Sequence, residues 1–346
     1  MRDFDNLDKL IKNASSTPVA LFLGSGVMAG IAPMWNDLLK ELIEKSLIYR
    51  FGNQYRVEQL DKITNMLIKD GFINAYDQAL IAKLFLGDQY KLFLKEVIYS
   101  KYDKYKLTDI SEQSTFHAIC RMCRYDWVHG VVTYNYDSLI EDFINLDVGA
   151  TGRKASPVVG NKPDQHNVNN DLPFYHVHGY IPNSNRNFNI NTDDLVLSRD
   201  EYFQNMMEPY SWQTTTQLHF LRNYTCIFIG ASLNDWNMLR MLNYAKRYTN
   251  TDNVYAVMHE DAFFKDKDKD KDKDKDKDKD KDKDKEIGKE ISNEEYNFIV
   301  RMNASLLKEF GVKLIISGRT SNTVALKIEE IFTKITKIIE ERKKSV

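Results

Sequence analysis

Thr133-Tyr134-Asn135-Tyr136-Asp137 sets a hydroxyl, an amide and a carboxylate at the carboxyl end of an apolar run, Trp127 to Val132, that reads as a strand. Asp137 suits the first turn of the helix that follows, where a carboxylate takes up backbone amides that have no other partner. Asn135 is harder to explain by capping alone. His178 stands before Gly179 at the end of a second apolar run, Leu172 to Tyr180. An imidazole accepts a proton near neutral pH, which a water-activating step requires. The chain has seven histidines, and a structural use is the ordinary expectation for any one of them. His176, two residues earlier on the same strand face, is the obvious competitor; His117 and His129 have less favourable contexts.

Gly24-Ser25-Gly26, with Ala29 at the third small position, fits a G-x-G-x-x-[G/A] pattern after a strand and before a helix, the context that gives the pattern its value. The first glycine permits a tight turn, the second lets the backbone approach a pyrophosphate, and amides at the helix entrance can donate to its oxygens. A glycine turn with no ligand is the competing explanation. A hydride-transfer enzyme would next show a strand ending in an acidic residue about 20 positions on. Here Glu41 and Glu44 lie inside a helical pattern, Leu38 to Leu47, so some other use of a dinucleotide is expected. Gly230-Ala231-Ser232-Leu233-Asn234-Asp235 closes another strand and puts small and polar groups where a ribose or phosphate could dock; Asn234 or Asp235 could equally cap a helix. Cys120-x-x-Cys123 is a single pair, and a zinc ribbon needs four ligands, so no metal is expected.

The elements that must position these residues alternate. Pro18 to Leu23 reads as a buried parallel strand, and Leu38, Leu39, Leu42, Ile43 and Leu47 place a helix from Trp35 to about Tyr49. Further strand–turn–helix units follow around the two polar turns at 133–137 and 230–235. Asp252 to Glu260 reads as a strand, Glu290 to Phe310 as helical, and Gly311 to Ser317 as a last strand before a final helix from Thr323. This grammar predicts an α/β fold, a doubly wound parallel sheet, in one domain over 1–346 with a helical insertion or subdomain at about 50–110. Gly149 to Asp171 reads as loop. Lys265 to Asp284 is an uninterrupted Lys-Asp alternation, expected to be a solvated, disordered loop over about 265–285. Ligands of such sheets bind at the carboxyl ends of strands near a topological switch, so the polar turns should converge on one crevice.

With 48 basic and 50 acidic residues the formal net charge is −2, and no overall field marks the chain for nucleic acid or an anionic membrane. No apolar run approaches the roughly 20 residues of a membrane span. Met1 to Leu10 is too charged for a secretory signal, and three cysteines form no disulfide framework, so a cytoplasmic location is expected.

In order, the G-S-G turn with its downstream Pro33-x-Trp35, then T-Y-N-Y-D, V-H-G and G-A-S-L-N-D resemble the sirtuin-like, NAD-consuming domains of bacterial anti-phage defence proteins. The resemblance runs from about residue 18 to 240. It implies a Rossmann-like fold that takes NAD as substrate, with Asn135 and His178 as the catalytic pair. Asn135 would hold the nicotinamide ribose or the attacking water, and His178 would act as base. Gly24, Ser25, Gly26, Trp35, Thr133, Asp137, Gly230, Ser232 and Asn234 would line the dinucleotide pocket. Protein-deacetylating sirtuins carry two C-x-x-C pairs and a Pro-Asp-Phe-Arg stretch after the glycine loop; here Pro33-Met34-Trp35-Asn36-Asp37 stands instead and the second pair is missing. NAD hydrolysis is therefore favoured over deacetylation; ADP-ribosyl transfer or deacylation of a protein, which needs the same pocket but a different acceptor, is the second enzymatic reading. A non-catalytic NAD or ADP-ribose sensor is the non-enzymatic alternative. Control by a protein partner, a translocase-type ATPase or an Argonaute-like protein, or by homo-oligomerisation follows from the resemblance.

Overall fold

Val19–Leu23 is apolar at every position because it is covered on both sides: Val19, Leu21 and Leu23 enter one buried cluster, Ala20 and Phe22 another. This strand, β1, lies inside a computed structural model that describes residues 4–69, 73–101, 110–146, 153–160, 171–183, 195–248, 252–264 and 292–344. The Lys-Asp run lies outside the described residues. With β2 (Val128–Thr133), β3 (Ala155–Val158), β4 (Leu172–His176), β5 (Thr225–Ile229), β6 (Val254–Met258) and β7 (Val312–Ile316), β1 forms a seven-stranded sheet in the order β3-β4-β2-β1-β5-β6-β7. Every strand pairing is parallel. The fold is therefore the α/β, Rossmann-like doubly wound sheet that the alternation predicts.

The strand order reverses at β1. From β1 the chain passes to β2, then to the edge strand β3, back to β4 between β3 and β2, and finally lays β5 on the other side of β1. Leu23 is in register with Thr133 on one side and with Ile229 on the other. The turns after β1, β2 and β5 thus leave the sheet at one height, at the switch point where such folds take ligands.

Helix α1 (Phe4–Ala14) precedes β1, and α2 (Trp35–Phe51), α3 (Val57–Lys69), α4 (Ala75–Leu86) and α5 (Tyr90–Ile98) follow it. Then come α6 (Thr115–Met122) before β2, α7 (Leu139–Leu146) after it, and α8 (Arg199–Met207) and α9 (Trp212–Asn223) before β5. The chain continues with α10 (Trp236–Tyr248) after β5, α11 (Asn293–Glu309) before β7, and α12 (Asn322–Lys344). Buried residues of α1, α6, α7 and α12 cover one face of the sheet, and those of α9, α10 and α11 the other. A third cluster joins Leu38, Leu42, Ala82 and Leu94 of α2, α4 and α5 to Tyr136, Ile181, Leu195 and Leu197.

Three features depart from the sequence reading. The polar start is an amphipathic helix, α1, whose Leu7, Leu10, Ile11 and Ala14 are buried at helical spacing. The stretch read as loop, Gly149 to Asp171, contains β3, whose residues Ala155 to Val158 pair with Leu172 to Tyr175. It is short, lies at the sheet edge and carries Pro157, a residue tolerated only there, so its signal is weak. The glycine turn opens on a single 3-10 turn, Ser25–Met28, and not on α2, which starts at Trp35.

Gly24 and Gly26 are required by the fold itself. A Cβ on Gly24 would stand 2.5 Å from the carbonyl oxygen of Gly230, and one on Gly26 2.8 Å from the Gly230 Cα. Gly230 has φ +67, and a Cβ there would lie 2.5 Å from the Val27 nitrogen. Gly230→Ala is expected to lower unfolding free energy by about 2–4 kcal/mol, combining backbone strain with a clash against main chain. Gly30→Ala, at φ +83 but with nothing within 4 Å, should lose about 1–2 kcal/mol from strain alone. Urea unfolding of the two variants compares them directly; equal losses would show that the close approach of the turns is unimportant.

Candidate active site

The turn after β2 is fixed by its own first residue. The Asn135 amide donates to Thr133 Oγ1 at 3.1 Å, the Tyr134 amide to the Leu23 carbonyl at 2.9 Å, and the Thr133 carbonyl accepts from the Val177 amide at 3.2 Å. Asn135 Nδ2 donates to the Gly24 carbonyl at 3.3 Å. A carbonyl can only accept, which orients the side-chain amide and leaves Asn135 Oδ1 as its acceptor atom. That oxygen has no hydrogen-bond partner among the described residues and suits a hydroxyl group or a water.

The two histidines of the Leu172 to Tyr180 run separate cleanly. His176 is the last residue of β4 and fully buried, with Nε2 2.6 Å from Glu141 Oε1 and Nδ1 3.1 Å from the Asn135 carbonyl oxygen. Both its nitrogens are engaged. His178 lies beyond the strand end, in a turn closed by the Gly179 amide on the His176 carbonyl, so it does not share a strand face with His176. Its ring packs edge-on between Tyr134, 5.0 Å away, and Tyr202, 5.7 Å away. Burial lowers the His178 pKa, and the charge of Asp235 partly opposes this, so the balance favours the neutral imidazole, whose ring can accept a proton.

Asp235 organises the far side of the crevice. One of its oxygens accepts from the Met238 amide at 2.9 Å, capping α10, and the other from the Tyr202 hydroxyl at 2.7 Å. Burial, and then the Asp235 charge, raise the Tyr76 and Tyr202 phenols above their ordinary pKa, so they remain hydrogen-bond donors. Trp35, at the start of α2, reaches the site through a chain of rings: Trp35 to Tyr76 at 6.4 Å, Tyr76 to Tyr202 at 4.5 Å, and Tyr202 to His178.

The structure thus brings Gly24, Gly26, Thr133, Asn135, His178 and Gly230 together. The amides of Gly24 and Gly26 are used within the fold, donating to the carbonyls of Ile229 at 3.0 Å and Gly230 at 2.9 Å, so these two are not available to a phosphate. Ser25 is half-buried beside them, while Ser232 and Asn234 are exposed and joined by the Asn234 amide on Ser232 Oγ at 3.4 Å. Between them Leu233 is held at φ +55, which a branched side chain adopts only under constraint. Asp137 is buried, and its Oδ1 accepts from the Leu139 amide at 3.1 Å at the start of α7. Among the described residues no group of three or more His, Cys, Asp or Glu side chains could hold a metal, and no helix is long and apolar enough to cross a membrane.

Residues 129–285 match the sequence model of the SIR2-like domain family. No curated protein matches the chain. The SIR2-like match starts inside β2 and spans β3 to β6, so it contains Asn135, His178 and Gly230 and leaves out the Gly24 turn and Trp35. It covers somewhat less than half the chain, supports a sirtuin-like family and points to chemistry on NAD, which SIR2-like domains bind.

Sequence reasoning passed over Tyr202, Glu141 and the double use of Asp235. Tyr202 lies in α8, whose Ser198 and Glu201 form a reciprocal capping box; that S-x-x-E spacing is the signal by which the helix could have been found.

Burial pushes Asp137 up to about 6 from 3.8; the Leu139 amide and His176 oppose the shift and Glu141 adds to it. The folded state then binds the extra proton between these values. The contribution to stability is complete below about pH 4 and is lost as pH rises through about 6, a change of about 2–3 kcal/mol. Asp137→Asn, which keeps an acceptor for Leu139, should flatten this part of the stability profile. Urea unfolding of both proteins at pH 4.5 and 7 tests the effect, and parallel profiles would refute it.

Proposed function

We propose that the chain is an NAD+ glycohydrolase that cleaves the nicotinamide–ribose bond with Asn135 and His178. The observation that carries this reading is the turn 133–137, which seats Asn135 on the Gly24 carbonyl while its neighbour Tyr134 packs against the His178 ring. Glycine turn, amide acceptor and neutral imidazole therefore meet at one switch point. The residues fit NAD as substrate: small residues line the turns, Asn135 Oδ1 is available to a ribose hydroxyl or a water, and tyrosine rings flank the base.

In the proposed reaction the bond between the ribose carbon and the pyridinium nitrogen breaks, its electron pair leaving with neutral nicotinamide. Water forms the new carbon–oxygen bond, and its proton passes to His178 and then to solvent. The products are nicotinamide, ADP-ribose and one proton. The positive pyridinium already weakens the bond, so the protein's work is to position water and ribose and stabilise developing charge. The missing second C-x-x-C pair favours water over an acyl-lysine as nucleophile. We further propose, from the resemblance of the motifs, that NAD depletion serves anti-phage defence. Unrestrained hydrolysis would harm the host, so we assign control to self-assembly or to a protein partner, a translocase-type ATPase or an Argonaute-like protein.

Asn135→Ala and His178→Ala are each expected to lower NAD consumption by about 100-fold or more, followed by chromatography of NAD, nicotinamide and ADP-ribose. Turnover that survives in both variants would refute the site. Turnover only with an acylated peptide would indicate a deacylase, label on protein a transferase, and binding without turnover a sensor. Because burial lowers the His178 pKa, the acid limb of kcat/KM should lie below the ordinary imidazole value of 6.5. An acid limb above that value would remove His178 as the base.

A further inference from the structure

Beneath the proposed catalytic turn lies a buried histidine–glutamate pair. Glu141 and His176 have 5% and 0% of their side chains exposed, and Glu141 Oε1 stands 2.6 Å from His176 Nε2. The three residues involved come from three elements: Glu141 from the first turn of α7, His176 from the end of β4, and Asn135 from the connection between β2 and α7. Nδ1 of His176 faces the Asn135 carbonyl oxygen at 3.1 Å, and because a carbonyl only accepts, Nδ1 carries a proton.

Stability alone does not explain such a pair, since well-packed apolar residues of similar volume commonly serve a core equally well or better. What an apolar pair cannot do is hold one carbonyl in one direction. The Asn135 peptide is held from below by His176, its amide hydrogen by Thr133 and its side chain by Gly24.

We propose that Glu141 and His176 form a positioning dyad that sets the orientation in which Asn135 presents Oδ1 to the water or ribose. The inference rests on the role given above to Asn135. Glu141 fixes the imidazole, the imidazole fixes the Asn135 peptide, and neither touches substrate. Orientation of this kind acts on the chemical step more than on affinity, and small displacements of a positioning group are felt strongly in the rate.

The test compares His176→Phe, which keeps a ring and removes the donor, with His176→Asn, whose amide can replace Nδ1–H, and with Glu141→Gln. His176→Phe is expected to lower kcat for NAD about 10-fold or more with KM changed less than about 3-fold. His176→Asn should recover most of kcat, and Glu141→Gln should fall between. Amide exchange supplies a readout independent of turnover: in His176→Phe the Asn135 amide should exchange faster while those of β1 keep their protection. Equal kcat in wild type and His176→Phe, or Phe and Asn variants that behave alike, would overturn the dyad. Unchanged Asn135 exchange would also overturn it. If the wild-type chain consumes no NAD, the glycohydrolase reading fails instead, and exchange at Asn135 still decides whether the dyad holds the turn.

Discussion

The site depends on one contact between main chains: Gly24 and Gly26 resting against Gly230 across the sheet's reversal point. No side chain could take part in that contact, because a single methyl group on any of the three would meet backbone at 2.8 Å or less. From this seat the other positions follow. Leu23 and Gly24 lend their carbonyls to Tyr134 and Asn135, Tyr134 meets His178, and Gly230 sends the chain through the constrained Leu233 to the Asp235 cap. A parallel sheet supplies the common height of these turns, and glycine supplies their closeness.

Exclusion of water gives the site its electrostatic character. Burial is the largest cause of the lowered His178 pKa and of the raised Asp137 and tyrosine values, and it acts in the same sense on each: toward the neutral form. The Asp235 carboxylate nearby is held by two donors, the Tyr202 hydroxyl and the Met238 amide. Such an interior suits a reaction whose substrate brings its own positive charge, because fixed dipoles need no rearrangement as that charge is discharged.

Much of the scaffold was legible in the sequence because β1, β5 and β6 are buried on both faces and so appear as unbroken apolar runs. β3 was not, since an edge strand of four residues with Pro157 resembles the loops beside it. Asn135 and His178 could be singled out because each stands at a strand end in a short motif. Their supports could not: Glu141 reaches His176 across 35 residues of chain, and Asp235 reaches Tyr202 across 33. Nothing local marks either pairing. The split between the two histidines was equally invisible, because two residues of spacing cannot reveal that the strand stops between them.

The helices between β1 and β2 have a consequence for how the protein could be divided. Their buried cluster is completed by Tyr136, next in sequence to Asn135, and by Ile181, Leu195 and Leu197, all outside the insertion. The Tyr136 hydroxyl closes that wall by donating to the Val196 carbonyl at 2.8 Å. These helices therefore share their interior with the segment that carries Asn135. Removing them would strip one side from the peptide that carries the asparagine, so any cut that spares the strands still reaches the site.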